Sequence, residues 1–235
     1  MSNELSDAIA PTGALRVVIN LGNAVLAQGS ADDPRGVTVD MAHEIGEWLG
    51  VPVRLTAVDQ ARKAYAEIAS GRADLCFLAN EPAREDAVAF TAPYVTIDGV
   101  YVVDPDSGLQ EAGQVDRPGV AIGVREGSAY DLYLTRTLEH ASIVRGDEAT
   151  DLFESQGLDA AAGVRQPMEA YASATGRRLL EPPFMQINQA VGLPRSLEPR
   201  IVDAVASHVE DLKSSGFVAA GLARSGVDAT VAPPA

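Results

Sequence analysis

The stretch from Gly71 to Tyr94 restricts the fold more than any other part of the chain. Gly71 closes a helical pattern, and Ala73 to Leu78 is a short, unbroken apolar run of the kind a buried strand requires. At Ala79 the run gives way to Asn80, Glu81, Pro82, Ala83 and Arg84, and then to Phe90-Thr91-Ala92-Pro93-Tyr94. A core strand that delivers an arginine loop at its carboxyl end puts that loop where open α/β sheets bind ligands.

The residues before it follow the same logic. Leu15 to Leu21 is a β-rich run with Gly22 and Asn23 at its end, and Ala24 to Gly36 reads as a polar loop. Val39 to Leu49 places Met41, Ile45, Trp48 and Leu49 on one helical face and stops at Gly50. Val51 to Val58 alternates as a strand does, and Gln60 to Ser70 carries an apolar stripe of Ala61, Ala64, Tyr65 and Ile68. Strand, helix, strand, helix, strand predicts an α/β fold with a parallel sheet.

Thr96 to Val103 extends again, and the pattern restarts. Strands are expected at Gly119 to Val124, Ser142 to Arg145 and Leu158 to Val164, with helices over Ala129 to Glu139, Asp147 to Gln156 and Pro167 to about Ala174. Arg178 to Leu180 reads as a short strand ended by Pro182-Pro183, and Ile187 to Leu193 as a separate one. The longest helix is expected over Ser196 to Lys213, followed by a short one to about Arg224. Both halves start a strand with an aspartate just after a helix-ending glycine: Gly71-Arg72-Ala73-Asp74 and Gly157-Leu158-Asp159-Ala160.

Composition narrows the partners. The chain has 235 residues, enough for one large domain or two small ones, and a net charge of −15. So acidic a surface repels phosphate backbones and anionic lipid, which argues against nucleic acid and membrane surfaces. No apolar run approaches the roughly 18 residues of a membrane span, so no membrane insertion is expected. Cys76 is the only cysteine, and inside Leu-Cys-Phe-Leu it reads as a small buried hydrophobe. His43, His140 and His208 are far apart and lack metal-ligand spacing; no metal and no cofactor are expected.

This layout resembles the type II periplasmic-binding-protein fold, and more narrowly the family 3 extracellular solute-binding proteins of ABC transporters. The resemblance is carried by Gly36-Val37-Thr38-Val39-Asp40-Met41-Ala42, by Gly71, Asp74, Arg84 and Phe90 to Tyr94, by Gly123-Val124 leading to Gly127-Ser128, by Leu158-Asp159-Ala160, and by Lys213 to Phe217. It implies a clamshell of two α/β lobes closing on a small ligand. Lobe one would hold residues 14–101 and 191–235 and lobe two residues 102–190, with hinge strands near 100–103 and 189–192.

The resemblance also implies site residues. Arg84 matches the arginine that grips a ligand carboxylate, a task suited to planar, bidentate donors; the plain alternative is an exposed arginine paired with Glu85 or Asp86. Gly127 and Ser128 match the helix start that offers a hydroxyl and backbone N–H groups to the same anion, although Ser128 could equally be only a helix cap. Asn23, Asn80, Glu81 and Arg165 complete the ligand-binding candidates. Three departures stand out: Val164 stands where amino-acid binders carry an acid, Glu81 where they carry threonine, and Gly22-Asn23-Ala24 where an aromatic platform is common. If Arg165 faces the ligand, it could hold a second anionic group.

The resemblance therefore implies non-catalytic binding of a small, carboxylate-bearing, amino-acid-like metabolite that is not a standard α-amino acid, by a monomer serving an ABC permease. Two other readings remain. One is a cyclohexadienyl or arogenate dehydratase-like enzyme, with Glu126 and Glu169 as candidate acids. The other is a cytoplasmic ligand sensor. The family implies a periplasmic location; the sequence as given shows no signal peptide, which leaves the cytoplasm open.

Overall fold

The computed structural model describes residues 2–227 and 229–235. The chain divides into two compact units, residues 1–96 with 188–235 and residues 97–187. Two long strands, β6 (Val88–Val103) and β10 (Arg178–Pro194), each run from one unit into the other.

Unit 1 is built on parallel strands β1 (Leu15–Asn20), β4 (Val53–Val58) and β5 (Leu75–Ala79), in the order β4-β1-β5. The far end of β10 joins β5 antiparallel, with Gln189 opposite Ala79 and Gly192 opposite Cys76. All five residues of β5 are buried, as its continuous apolar run requires. Helix α2 (Val37–Leu49) ends on Gly50 at φ 70°, a left-handed stop that glycine adopts without a Cβ penalty. Helix α3 (Ala61–Ala69) packs Ala64 and Ile68 with Val18, Cys76, Leu78 and Val88 to form the core. The long helix near the carboxyl end, α7 (Pro199–Ser214), buries Ile201, Val205, Val209 and Leu212 at helical spacing, and α8 (Phe217–Arg224) follows. Helix α1 (Ser2–Ile9) lies before the first strand, and β11 (Thr230–Val231) pairs with β6.

Unit 2 repeats the plan. Parallel strands β7 (Ala121–Arg125), β8 (Ser142–Gly146) and β9 (Ala160–Val164) stand in the order β9-β7-β8, and β6 pairs antiparallel with β9. Helices α4 (Ala129–Thr137) and α5 (Ala149–Gln156) connect them, and α6 (Arg165–Thr175) leads from β9 to β10. Phe153, Met168 and Ala172 pack on Val100, Val102 and Ala161.

The two recurring aspartates have one structural job. Asp74 Oδ2 accepts the backbone N–H of Arg16 at 2.9 Å, and the Asp74 N–H donates to the Arg16 carbonyl at 2.7 Å. In unit 2, Asp159 Oδ2 accepts the Ala121 N–H at 2.8 Å and its own N–H donates to the Ala121 carbonyl at 3.0 Å. Each aspartate thus ties the amino end of its strand to that of the neighbouring parallel strand.

Several expected elements shift. The loop over residues 24–36 contains a small hairpin, β2 (Gln28–Gly29) with β3 (Pro34–Arg35), and buries Val25, Leu26 and Ala27. The extended segments expected on either side of Pro182-Pro183 are one strand, β10, with a cis Glu181–Pro182 bond. Helix α6 begins two residues before Pro167. That proline falls in the first turn, where a helix has no use for its N–H.

Candidate functional site

The carboxyl ends of the parallel strands carry the candidate residues, and each unit presents its own set. In unit 1, β1 ends at Asn20, whose Oδ1 accepts the Gly22 N–H at 3.1 Å. Asn23 turns the chain there, its carbonyl accepting from Leu26 and Ala27 at 3.0 Å each. Its Oδ1 is buried without a hydrogen-bond partner. Gln60, buried just after β4, stands at the start of α3. Nothing in the sequence marks Gln60, because a buried amide at a helix N-cap is visible only once the fold is known.

Beyond β5, the N–H of Asn80 donates to the Asn188 carbonyl at 2.8 Å, and the Asn80 side chain is exposed. A single 3₁₀ turn over Pro82–Arg84 then folds Arg84 back beneath the strand end. Arg84 is only 3% exposed and Glu81 only 4%, and Arg84 Nη1 donates to the Ala79 carbonyl at 2.9 Å. Burial pulls the Arg84 guanidinium down to about 10, and the nearby Glu81 carboxylate is the largest influence opposing that fall. At neutral pH Arg84 therefore stays charged. It is not the exposed arginine of the plain alternative, and Asp86 instead accepts the Tyr65 hydroxyl at 2.7 Å.

In unit 2, β7 leads through Glu126 to Gly127, at φ 69°, and Ser128. Ser128 Oγ accepts the Asp131 N–H at 3.1 Å, and Asp131 Oδ2 accepts the Gly127 N–H at 2.8 Å. This resembles a capping box with aspartate in the usual glutamate position, except that the carboxylate takes the N–H of Gly127, one residue before the cap, while the Ser128 N–H donates to the Arg125 carbonyl at 3.1 Å. Asp131 is buried and its Oδ1 pairs with Arg145 Nε at 2.9 Å. Burial pushes the Tyr130 hydroxyl up to about 12, and the neighbouring Ser128 side chain is the largest influence opposing that rise. The helix start expected to receive a ligand anion thus already has a carboxylate of the chain's own on the Gly127 N–H. The Ser-x-x-Asp spacing could have revealed Asp131 in the sequence.

Arg165 opens α6 beside the end of β9. Its guanidinium reaches Asp98 at 3.1 Å, Glu169 at 3.1 Å and Glu181 at 2.8 Å. The bond to Glu181 leads in raising its already high pKa. Three carboxylates surrounding one guanidinium leave it little capacity for a further anion. Cys76, fully buried, has its thiol pushed up to about 12 by burial and stays a neutral core residue. Among the described residues, no group of three or more His, Cys, Asp or Glu side chains is arranged to hold a metal ion.

With this geometry in view, the comparisons are decisive on family. The description "Bacterial extracellular solute-binding proteins, family 3" matches residues 18–224. The chain belongs to this family. No curated protein matches it. Its fold is that of the two-lobed periplasmic binding proteins, seen in solved structures that share little sequence with it. The amino-acid-binding protein AbpA of Streptococcus pneumoniae, bound to L-arginine, is 21% identical with a TM-score of 0.74, over 93% of this chain and 97% of that one. The solute receptor for L-cysteine of Neisseria gonorrhoeae is 18% identical with a TM-score of 0.76, over 93% and 92%. The ancestral amino-acid-binding protein AncCDT-1, a precursor of cyclohexadienyl dehydratase, is 20% identical with a TM-score of 0.73, over 94% and 98%. No helix among the described residues of this family 3 chain is long and apolar enough to cross a membrane.

Proposed function

We propose that this chain is the solute-binding component of an ABC-type transporter, and that it holds a small, carboxylate-bearing, amino-acid-like solute without transforming it. The observation that carries the reading is the family match over residues 18–224, which spans both units. Arg84 is the proposed carboxylate partner. It is a buried guanidinium at the carboxyl edge of a parallel sheet, the edge where such sheets bind ligands. Asn23, Asn80 and Glu81 lie at the same edge, and Gly127 and Ser128 form the corresponding turn of unit 2. Val164 offers no charge at the end of β9, and the acids around it are held by Arg165. A solute other than the standard α-amino acids fits that departure. The family implies action outside the cytoplasm beside a membrane permease, with the chain working as a monomer.

A dehydratase reading has less support. Glu169 is exposed and bound to Arg165, so it is poorly placed to donate a proton to a leaving group. Loss of prephenate absorbance on incubation with the purified protein would restore that reading.

Two measurements test binding. Mass spectrometry of the small molecule released on denaturing freshly purified protein should find a carboxylate. That compound, added back, should raise the melting temperature of the parent but not of Arg84→Ala, because binding stabilises by mass action. Equal stabilisation of both proteins would remove Arg84 from the site.

A further inference from the structure

We propose that the edge of β6 at Tyr94 to Thr96, together with Lys213, is a strand-addition site for an extended, small-apolar peptide. The segment after α8 is its resident occupant, held there as a detachable strap. The inference lies within unit 1 and does not depend on which solute the protein binds.

The strands of unit 1 run in the order β4-β1-β5-β10-β6, and β11 adds to β6 antiparallel, with Thr230 opposite Thr96 and Val231 opposite Val95. The Ala232 N–H then donates to the Tyr94 carbonyl at 3.0 Å. An open strand edge attracts further strands, and folded chains cover it. The cover here is thin. Of residues 229–235, Ala232 is buried, at 3% exposure, while Thr230 and residues 233–235 are exposed. Pro233 and Pro234 lack the N–H that would carry the ladder further, so pairing stops at Ala232.

Lys213 makes this edge a recognition site. It is one of the chain's two lysines, and its side chain is only 4% exposed. A buried ammonium is costly unless its donors are used. Here Nζ donates to Glu210 Oε1 at 2.6 Å, on its own helix, and to the Pro233 carbonyl at 2.8 Å, one residue past the end of the pairing. Glu210 Oε2 in turn accepts the Ala235 N–H at 3.3 Å. The occupant is thus met through its backbone and through the buried methyl of Ala232, and none of these contacts requires that it be continuous with α8. Main-chain bonds along an edge, with a place for one alternate side chain, are the means by which sheets bind extended peptides. So short a pairing opens without unfolding the rest of the unit, and the covalent link returns the strap at high effective concentration.

Hydrogen exchange on the intact protein and a peptide added in trans test this. In the parent, the Ala232 amide should exchange at least about a hundredfold faster than the amides of β5, because the strap opens on its own. Ala232→Glu, made in the full chain, puts a charged side chain at a buried position and should release the strap. Ala232→Pro, which removes the N–H given to Tyr94, is a second releasing variant should the first fold poorly. A fluorescent peptide with the sequence of residues 230–235 and capped ends should bind the released chain at least about tenfold more tightly than the parent, whose strap competes in cis. Adding Lys213→Met to the released chain should weaken that binding, and so should Ala232→Glu within the peptide. Exchange at Ala232 as slow as in β5 overturns the proposal, since the strap would then leave only on global unfolding. Failure of the peptide to bind either released chain overturns it too, as does equal binding of the Ala232→Glu peptide. Dimers of the released chain that the peptide disperses support the site, and dimers that it leaves intact count against it.

Discussion

The two units use one scaffold and place an acid and an arginine at its carboxyl edge in different ways. In both, an aspartate ties adjacent parallel strands at their amino ends, and in both the loops at the carboxyl ends carry the polar candidates. Unit 1 folds a cation, Arg84, beneath the end of β5 together with Glu81. Unit 2 folds an anion, Asp131, beneath the start of α4 and balances it with Arg145. Strand order and helix packing do not dictate the charge at the edge. The scaffold supplies the position, and a few side chains on short turns decide what it attracts.

The amino-end aspartates give the sharpest way to break the parallel. Asp74 is buried and adds a bidentate contact with the Arg16 guanidinium to its backbone bonds, whereas Asp159 is exposed and holds only backbone. Asp74→Ala removes the acceptor of the Arg16 N–H and of its guanidinium, whose side chain is 30% exposed, and should cost about 2.5 kcal/mol, the upper part of the range for hydrogen bonds to a charged group. Asp159→Ala loses one hydrogen bond near water and should cost about 1 kcal/mol. Denaturant titration of each variant reads both. Equal losses would mean that the two motifs are equivalent despite their different burial.

Asp131 tests the edge of unit 2. Asp131→Ala removes the acceptor of the Gly127 N–H and the partner of Arg145, whose side chain is 39% exposed. Because Arg145 can turn to water, the expected loss is about 2 kcal/mol instead of the full cost of a stranded buried charge. Ser128→Ala removes the cap alone and should cost about 1 kcal/mol. If Ser128→Ala proves the more damaging, the capping arrangement is not organised around the carboxylate. Hydrogen exchange at the Gly127 amide separates the cases, since it should accelerate in Asp131→Ala.

Much of this arrangement is legible in the sequence, for identifiable reasons. β5 and the stripes of α3 and α7 are visible because burial imposes a period, and Gly50 and Gly157 mark helix ends because a left-handed stop favours glycine. The hairpin of β2 and β3 leaves no trace, since two-residue strands are too short to show a period. β10 reads as two strands in the sequence because proline lacks a ladder N–H; the strand tolerates Pro182 where its residues are exposed. In the site, the spacing of Glu81 and Arg84 can be read directly, but their burial cannot. The ring around Arg165 is hidden for a different reason: Asp98 and Glu181 stand 67 and 16 residues away and meet it only through β6 and β10.

The smallest effect comes from a pair that reports on unit 1 alone. Trp48, the only tryptophan, stacks on His208 with ring centroids 4.4 Å apart and planes 5° apart, joining α2 to α7. Burial lowers the pKa of His208, against the opposing charges of Glu44 on α2 and Asp211 on α7. The folded state therefore resists a proton that the unfolded chain accepts near its ordinary value of about 6.5. Stability from this site is complete above that value and declines as pH falls through it towards the lower folded pKa, because the unfolded state binds more protons in that window. His43 and His140 are exposed. Trp48 fluorescence in the folded protein should then change with a midpoint below 6.5, and His208→Gln should flatten the curve while leaving unit 2, which has no tryptophan, untouched. A midpoint above 6.5 would show that Glu44 and Asp211 outweigh burial. The slope of stability against pH would then reverse, and unit 1 would gain rather than lose stability as the solution is acidified through this range.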